Sequence, residues 1–339
     1  VPGRPRASIA RALAVASLAV GLCVGLSGCG VRLDVPPPAI PTADAAEQAR
    51  ADAVATADAI AAQATALAGL GVADPTLATQ IAAGSTAQAG ALGGTWTPPA
   101  RPSASADPSD DGASATDDAT GAPTSADPTV DLVNALVTGA AQARAGAGAT
   151  SGDTATLLGS IAVWRSLAAH QLASTLPAET LTGIAPTLPA GGTDLTAVGL
   201  SSLSGVDDLI RGLDAAAFGY ETLAARTDDD ARAADWAARA TALRRAGEAV
   251  ASAADVSGTA ADPREALYDV ADLVALDPSA AAASLETEVA GLWLTAPLPA
   301  GLRPAGVDAA VEALLRAREL GPLAALDSPA AVLPGLAAP

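Results

Sequence analysis

The chain has 339 residues and a net charge of −19, with 37 acids, 18 arginines, no lysine, no methionine and a single histidine. Without lysine there is no Walker phosphate loop and no Schiff-base or Ser-Lys chemistry as usually built; one histidine excludes zincin motifs and multi-histidine metal sites; and the surplus of acid sets the chain against nucleic acid and anionic headgroups. Half of the residues are hydrophobic but only 2% are aromatic, so alanine sets the architecture: it favours helix strongly, buries little area, and predicts many closely packed helices.

The chain opens with Arg4, Arg6 and Arg11, followed by an apolar run from Ala12 to Leu26 that ends in small residues. This order predicts a secretory signal over 1–28. As a helix the run is roughly 22 Å long against a hydrocarbon core of about 30 Å, short for a permanent span. Its charge order directs everything after it out of the cytoplasm. Leu26-Ser27-Gly28-Cys29 resembles the lipobox of bacterial lipoproteins. That resemblance implies cleavage before Cys29 and acylation of its sulfur, with palmitate-type chains anchoring the protein in the bilayer. Loss of 1–28, with three arginines and no acid, takes the charge to −22. The only other cysteine, Cys23, lies in the leader, so no disulfide is expected within the mature chain.

Residues 29–41, with Pro36-Pro37-Pro38 and Pro41, read as a stiff tether of at most about 35 Å. N-terminal helices are expected over 42–96: one from Thr42 to Ala68, stopped by Gly69 and Gly71, and one from Pro75, in the favoured position after Asp74, to Leu92. Residues 97–127 are rich in Pro, Ser, Thr and Asp, the composition of a disordered acidic linker. A hairpin and loop follow over 128–200. Its helices span 129–145 and 154–176, with a glycine turn over 146–152 between them and a proline and glycine loop from Pro177. In the second helix Leu157, Ile161, Trp164, Ala168 and Leu172 form one stripe, and His170 is expected on the opposite, solvent-facing side.

The region 201–325 is the most regular. Val206, Leu209, Ile210, Leu213, Ala217, Tyr220 and Ala224 mark one helix, and Asp228 to Asp230 start a second that carries Trp236, Ala240, Leu243 and Val250. A third runs from Pro278 through Leu285, Val289 and Trp293, and a fourth from Pro304 through Val311 and Leu314 to Leu320. Strand alternation is missing, so the fold class is all-α. The tail 326–339 is expected to be loose from Asp327. Trp164, Trp236, Trp293, Phe218 and Tyr220 are expected as core fillers, with Trp96 capping the second helix's packing.

Leu213 to Tyr220, the arginine-rich second helix, Tyr268, Asp277-Pro278 and the Leu285-Glu286 helix resemble a ferritin-like domain of unknown function found in actinobacterial lipoproteins. The resemblance covers about a third of the chain and implies an antiparallel four-helix bundle. Where an acidic residue followed by histidine is expected in the first helix, this chain has Asp214 followed by Ala215. A ferritin-like di-metal site takes a Glu from each of two helices and a Glu-x-x-His from each of the other two, yet no histidine follows His170. The weak metal candidates that remain are Asp214 and Glu221, on one helix flank, and Glu248, with Glu286, Glu288 and Glu312 as facing acids. Pairing with Arg244, Arg245 and Arg316, or plain solvation, is their expected fate, because buried acids without partners are strongly disfavoured.

No catalytic residue and no cofactor are implied. The expectation is a lipoprotein on the outer face of the cell membrane, acting as a non-catalytic scaffold or interaction module. Its partners are the bilayer, through acylated Cys29, and an envelope protein, with no nucleic acid. The alternatives are capture of a small apolar ligand in the helical core, or a degenerate metal-binding ferritin-like protein.

Overall fold

Three helices start at an Asp-Pro pair, for a physical reason. The aspartate accepts first-turn amides that have no partner within the helix, and the proline beside it has no amide to leave unpaired. Asp74 accepts from the amides of Thr76 and Leu77 at 2.9 and 3.2 Å, Asp127 from Thr129 at 2.8 Å, and Asp277 from Ser279 and Ala280 at 2.9 and 3.3 Å. Asp44 and Asp229 cap two further helices in the same way.

The computed structural model describes residues 43–71, 74–95, 127–191, 203–321 and 325–336. Cys29 with Leu26, Ser27 and Gly28, the tether over 29–41, Trp96 and the linker over 97–126 lie outside the described residues. Among the described residues all regular structure is helical. The elements are α1 (Ala45–Leu70), α2 (Pro75–Ala91), α3 (Pro128–Ala149), α4 (Gly152–Ala173), α5 (Ala178–Ile184), α6 (Asp207–Arg226), α7 (Asp230–Ala253), α8 (Ala271–Ala275), α9 (Pro278–Thr295), α10 (Arg303–Leu320) and α11 (Pro329–Val332).

The long helices pair as α1/α2, α3/α4, α6/α7 and α9/α10, each with its sequence neighbour. The α1/α2 hairpin packs on α3/α4, α10 packs on α3 and α4, and α9 packs on α6. The hairpins are therefore layered in the order α1/α2, α3/α4, α9/α10, α6/α7. The C-terminal helices do not stand apart from the N-terminal ones, because one apolar core runs from Val54 and Leu92 through Leu158 and Ile161 to Val307, Trp293 and Leu213. A second core gathers Ile60, Ile81, Leu136, Trp164 and Leu172 between the first two hairpins. Polar ties cross the same seam: Arg144 forks onto Asp308, with Nε 2.6 Å from Oδ1, and Arg303 donates to the Thr150 carbonyl.

α4 is the centre of this packing. Fifteen of its 22 residues are buried, so the single stripe read from periodicity understates it. Gly159, Ala162, Ser166 and Ala169 have side chains short enough for neighbours to close on the other faces. α3 also runs further than expected, continuing through Gly146 and Gly148 to Ala149. A Cβ at Gly146 would lie 3.1 Å from Leu158 Cδ1, and one at Gly148 2.9 Å from Pro304 Cγ. These glycines serve close approach within a helix rather than a turn.

Two further expectations need correction. The stretch after Pro177 contains α5 and a 3-10 turn over Ala185–Thr187 rather than loop alone. The tail is docked rather than loose: Leu326 and Val332 are buried, Trp164 Nε1 donates to the Leu326 carbonyl at 2.9 Å, and Ser160 Oγ donates to the Pro334 carbonyl at 2.9 Å. The indole N–H and the hydroxyl are buried on α4, and these carbonyls satisfy them.

Candidate functional site

Glu286 lies within the apolar face of α9, with Ala282, Leu285 and Val289 around it, and its side chain is fully buried. An isolated carboxylate there would be prohibitively costly. Arg239, on α7, removes that cost with both arms of its fork: Nε donates to Oε1 at 2.7 Å and Nη2 to Oε2 at 2.6 Å. Its third arm reaches α10, where Nη1 donates to Glu312 Oε1 at 2.9 Å. Tyr220, on α6, donates its hydroxyl to Glu286 Oε1 at 2.7 Å. Arg316, on α10, approaches the same oxygen at 3.4 Å and pairs with Asp235 at 3.2 Å. One carboxylate thus joins α6, α7, α9 and α10.

The ionisation of the centre follows from these contacts. Burial pulls the Arg239 guanidinium down, but its bonds to Glu286 and the charge of Glu312 outweigh burial and raise it above its ordinary value. Burial, reinforced by the Glu286 charge, pushes the Tyr220 phenol far up, so it acts as a neutral donor. Charge-assisted, bidentate bonds of this kind are the strong class of hydrogen bond.

The metal candidates go elsewhere. Asp214 and Glu221 share Arg244, which donates from Nη1 to Asp214 at 2.7 Å and from Nε and Nη2 to the two Glu221 oxygens at 2.8 Å each. Tyr268 adds a hydroxyl bond of 3.0 Å to Asp214. Glu248 turns instead to Arg264 at 2.6 Å and to Ser257 at 2.7 Å. Bonding to arginine holds Glu221 below its ordinary value, and bonds from Ser257 and Arg264 hold Glu248 below its own. Among the described residues no three His, Cys, Asp or Glu side chains are placed to hold a metal ion. The residues of the centre do not fit a di-metal site either, since guanidinium donors take both Glu286 oxygens.

His170 is not the solvent-facing residue expected from its helical position. It is half-buried beneath the chain at Pro189, with Nε2 donating to that carbonyl at 2.7 Å. Burial lowers its pKa, the charge of Arg318 adds to that, and the Pro189 bond opposes it. Trp164, Trp236, Trp293 and Tyr220 fill the core as expected, while Phe218 is half-buried, its ring 5.9 Å from that of Tyr268.

The apolar stripes alone do not assign two buried charges. Arg239 flanks the Trp236, Ala240 and Leu243 stripe. Arg165 sits inside α4, fully buried, donating to the carbonyls of Gly139 and Ala53 at 3.1 Å each. Burial alone lowers Arg165 to about 10. The signal for both is a charged residue on or beside an apolar stripe. Comparison with protein-family models, curated proteins and solved structures finds no match to this chain.

Proposed function

We propose that this chain is a membrane-anchored, extracytoplasmic lipoprotein whose α6, α7, α9 and α10 form a ferritin-like four-helix bundle serving as a non-catalytic interaction module. The observation that carries this reading is the Arg239 fork on Glu286. In a ferritin-like bundle the interhelical carboxylates serve the metals, and here one guanidinium edge takes both oxygens of the central carboxylate. A fixed ion pair shared by four helices holds a shape and puts an N–H donor of Arg239 on each Glu286 oxygen. The Leu26-Ser27-Gly28-Cys29 lipobox and the charge order of the leader support the anchor.

Two measurements test the reading. Cells labelled with a palmitate analogue should incorporate it into the wild-type chain, and Cys29→Ser should abolish the label and release the protein from the membrane fraction; unchanged labelling in the variant contradicts the anchor. Purified protein given ferrous iron should consume oxygen no faster than buffer, and saturable consumption contradicts a non-catalytic bundle.

A further inference from the structure

A cleft of about 730 Å³ is lined by α6, α9 and the connection between α7 and α9, and its lining shares no residue with the ionic centre. Its floor is a helical stripe of small residues on α6, Gly212, Ala215, Ala216 and Gly219. Leucines stand directly on that stripe: a Cβ at Gly212 would lie 2.3 Å from Leu292 Cδ1, and one at Gly219 3.0 Å from Leu273 Cδ2. The strap between α7 and α9, which includes α8, covers one side. It is fastened to α6 by the Tyr268 bond to Asp214 and by the Phe218 and Tyr268 rings. The strap also leaves Leu276, on the lining, 48% exposed to solvent. An apolar cleft with a leucine of its lining left in solvent is the kind of surface that marks a binding site.

The charge of the lining is one-sided. Its ionisable acids are Asp269, Asp272 and Glu288, and no arginine lines it. Asp269 is engaged in capping the Ala271 amide. Among the described residues Asp272 and Glu288 have no hydrogen-bond or ion-pair partner. Arg211, beside Gly212 in sequence, turns to Asp208 at 3.1 Å and Glu265 at 3.9 Å. Such a lining repels fatty acids and anionic phospholipids and attracts a positive head whose apolar body can lie along the leucines.

We infer that this cleft binds an amphipathic organic cation, its apolar body between Leu273, Leu276 and Leu292 and its positive head at Asp272 and Glu288. The site is separate from the ionic centre and does not depend on the membrane anchor or the bundle's family. The test is a fluorescence titration of the full chain with trimethylammonium-diphenylhexatriene and, in parallel, with uncharged diphenylhexatriene. The cationic probe should bind about tenfold more tightly than the neutral one at low salt. Asp272→Asn with Glu288→Gln, two exposed positions where the fold tolerates the change, should erase that preference while keeping the neutral affinity. Ala215→Trp, which fills the floor, should abolish saturable binding of both probes with the helical circular dichroism unchanged. Equal affinity for the two probes, or a preference that survives the double substitution, would overturn the assignment.

Discussion

Arg165 carries a charge into the protein interior with only two backbone carbonyls to receive it. Both carbonyls, of Ala53 and Gly139, belong to the interior of helices and keep their helical bonds when the guanidinium leaves. Arg165→Met, of similar length and uncharged, should therefore raise the unfolding free energy by about 1–3 kcal/mol. Urea denaturation measures this, and a loss of stability would mean that the guanidinium is a needed tie between α1, α3 and α4. The position is legible in the sequence as a misfit: Arg165 lies four residues after Ile161 and three before Ala168, on the buried stripe. Glu286 is legible in the same way, between Ala282 and Val289. Their partners are not legible, because Ala53 is 112 residues from Arg165 and Arg239 is 47 from Glu286. Helical periodicity gives the face of one helix, not which other helix meets it. His170 shows the same limit, since the segment ending at Pro189 that covers it cannot be placed from periodicity.

At the scale of elements, the ionic centre makes four helices depend on one side chain. Glu286→Gln keeps the shape and removes the charge, leaving Arg239 buried against a neutral amide; this should lower stability by about 3–5 kcal/mol. Guanidinium chloride unfolding checks it, and a change below about 1 kcal/mol would show that packing alone holds these helices. Helix existence was legible almost throughout, because Asp-Pro starts and apolar spacing are local properties. What local rules missed were the elements fixed by distant contact. α3 passes through Gly146 and Gly148 because Leu158 and Pro304 press against it, and α8 belongs to a strap whose Leu273 seats on Gly219. The tail from Leu326 offers little periodicity; it is held by hydrogen bonds from α4.

For the whole molecule, layered hairpins with a shared core should unfold as one unit, and the pH dependence of that transition follows from the shifted groups. His170 ordinarily titrates near 6.5 and is lowered in the fold, so the unfolded chain takes up its proton first, and the stability from neutral His170 is lost as pH falls below about 6.5. Glu221 and Glu248 are lowered from 4.5; their contribution is present above that value and is lost as pH falls through the lower folded values. The urea midpoint should drop between pH 7.5 and 5, and His170→Gln should shrink that drop; equal midpoints for the wild type would contradict the burial of the imidazole. The all-α class was legible from composition, but the layering was not, since Arg144 and Asp308 are 164 residues apart.

Guanidinium groups, not metal ions, neutralise the carboxylates shared by α6, α7, α9 and α10. The most direct test is elemental analysis of the full chain purified from cells grown in iron- and manganese-supplemented medium, after gel filtration. Folded, helical protein with iron and manganese far below one equivalent is the expected result. Stoichiometric metal that is lost in Glu286→Gln would contradict it.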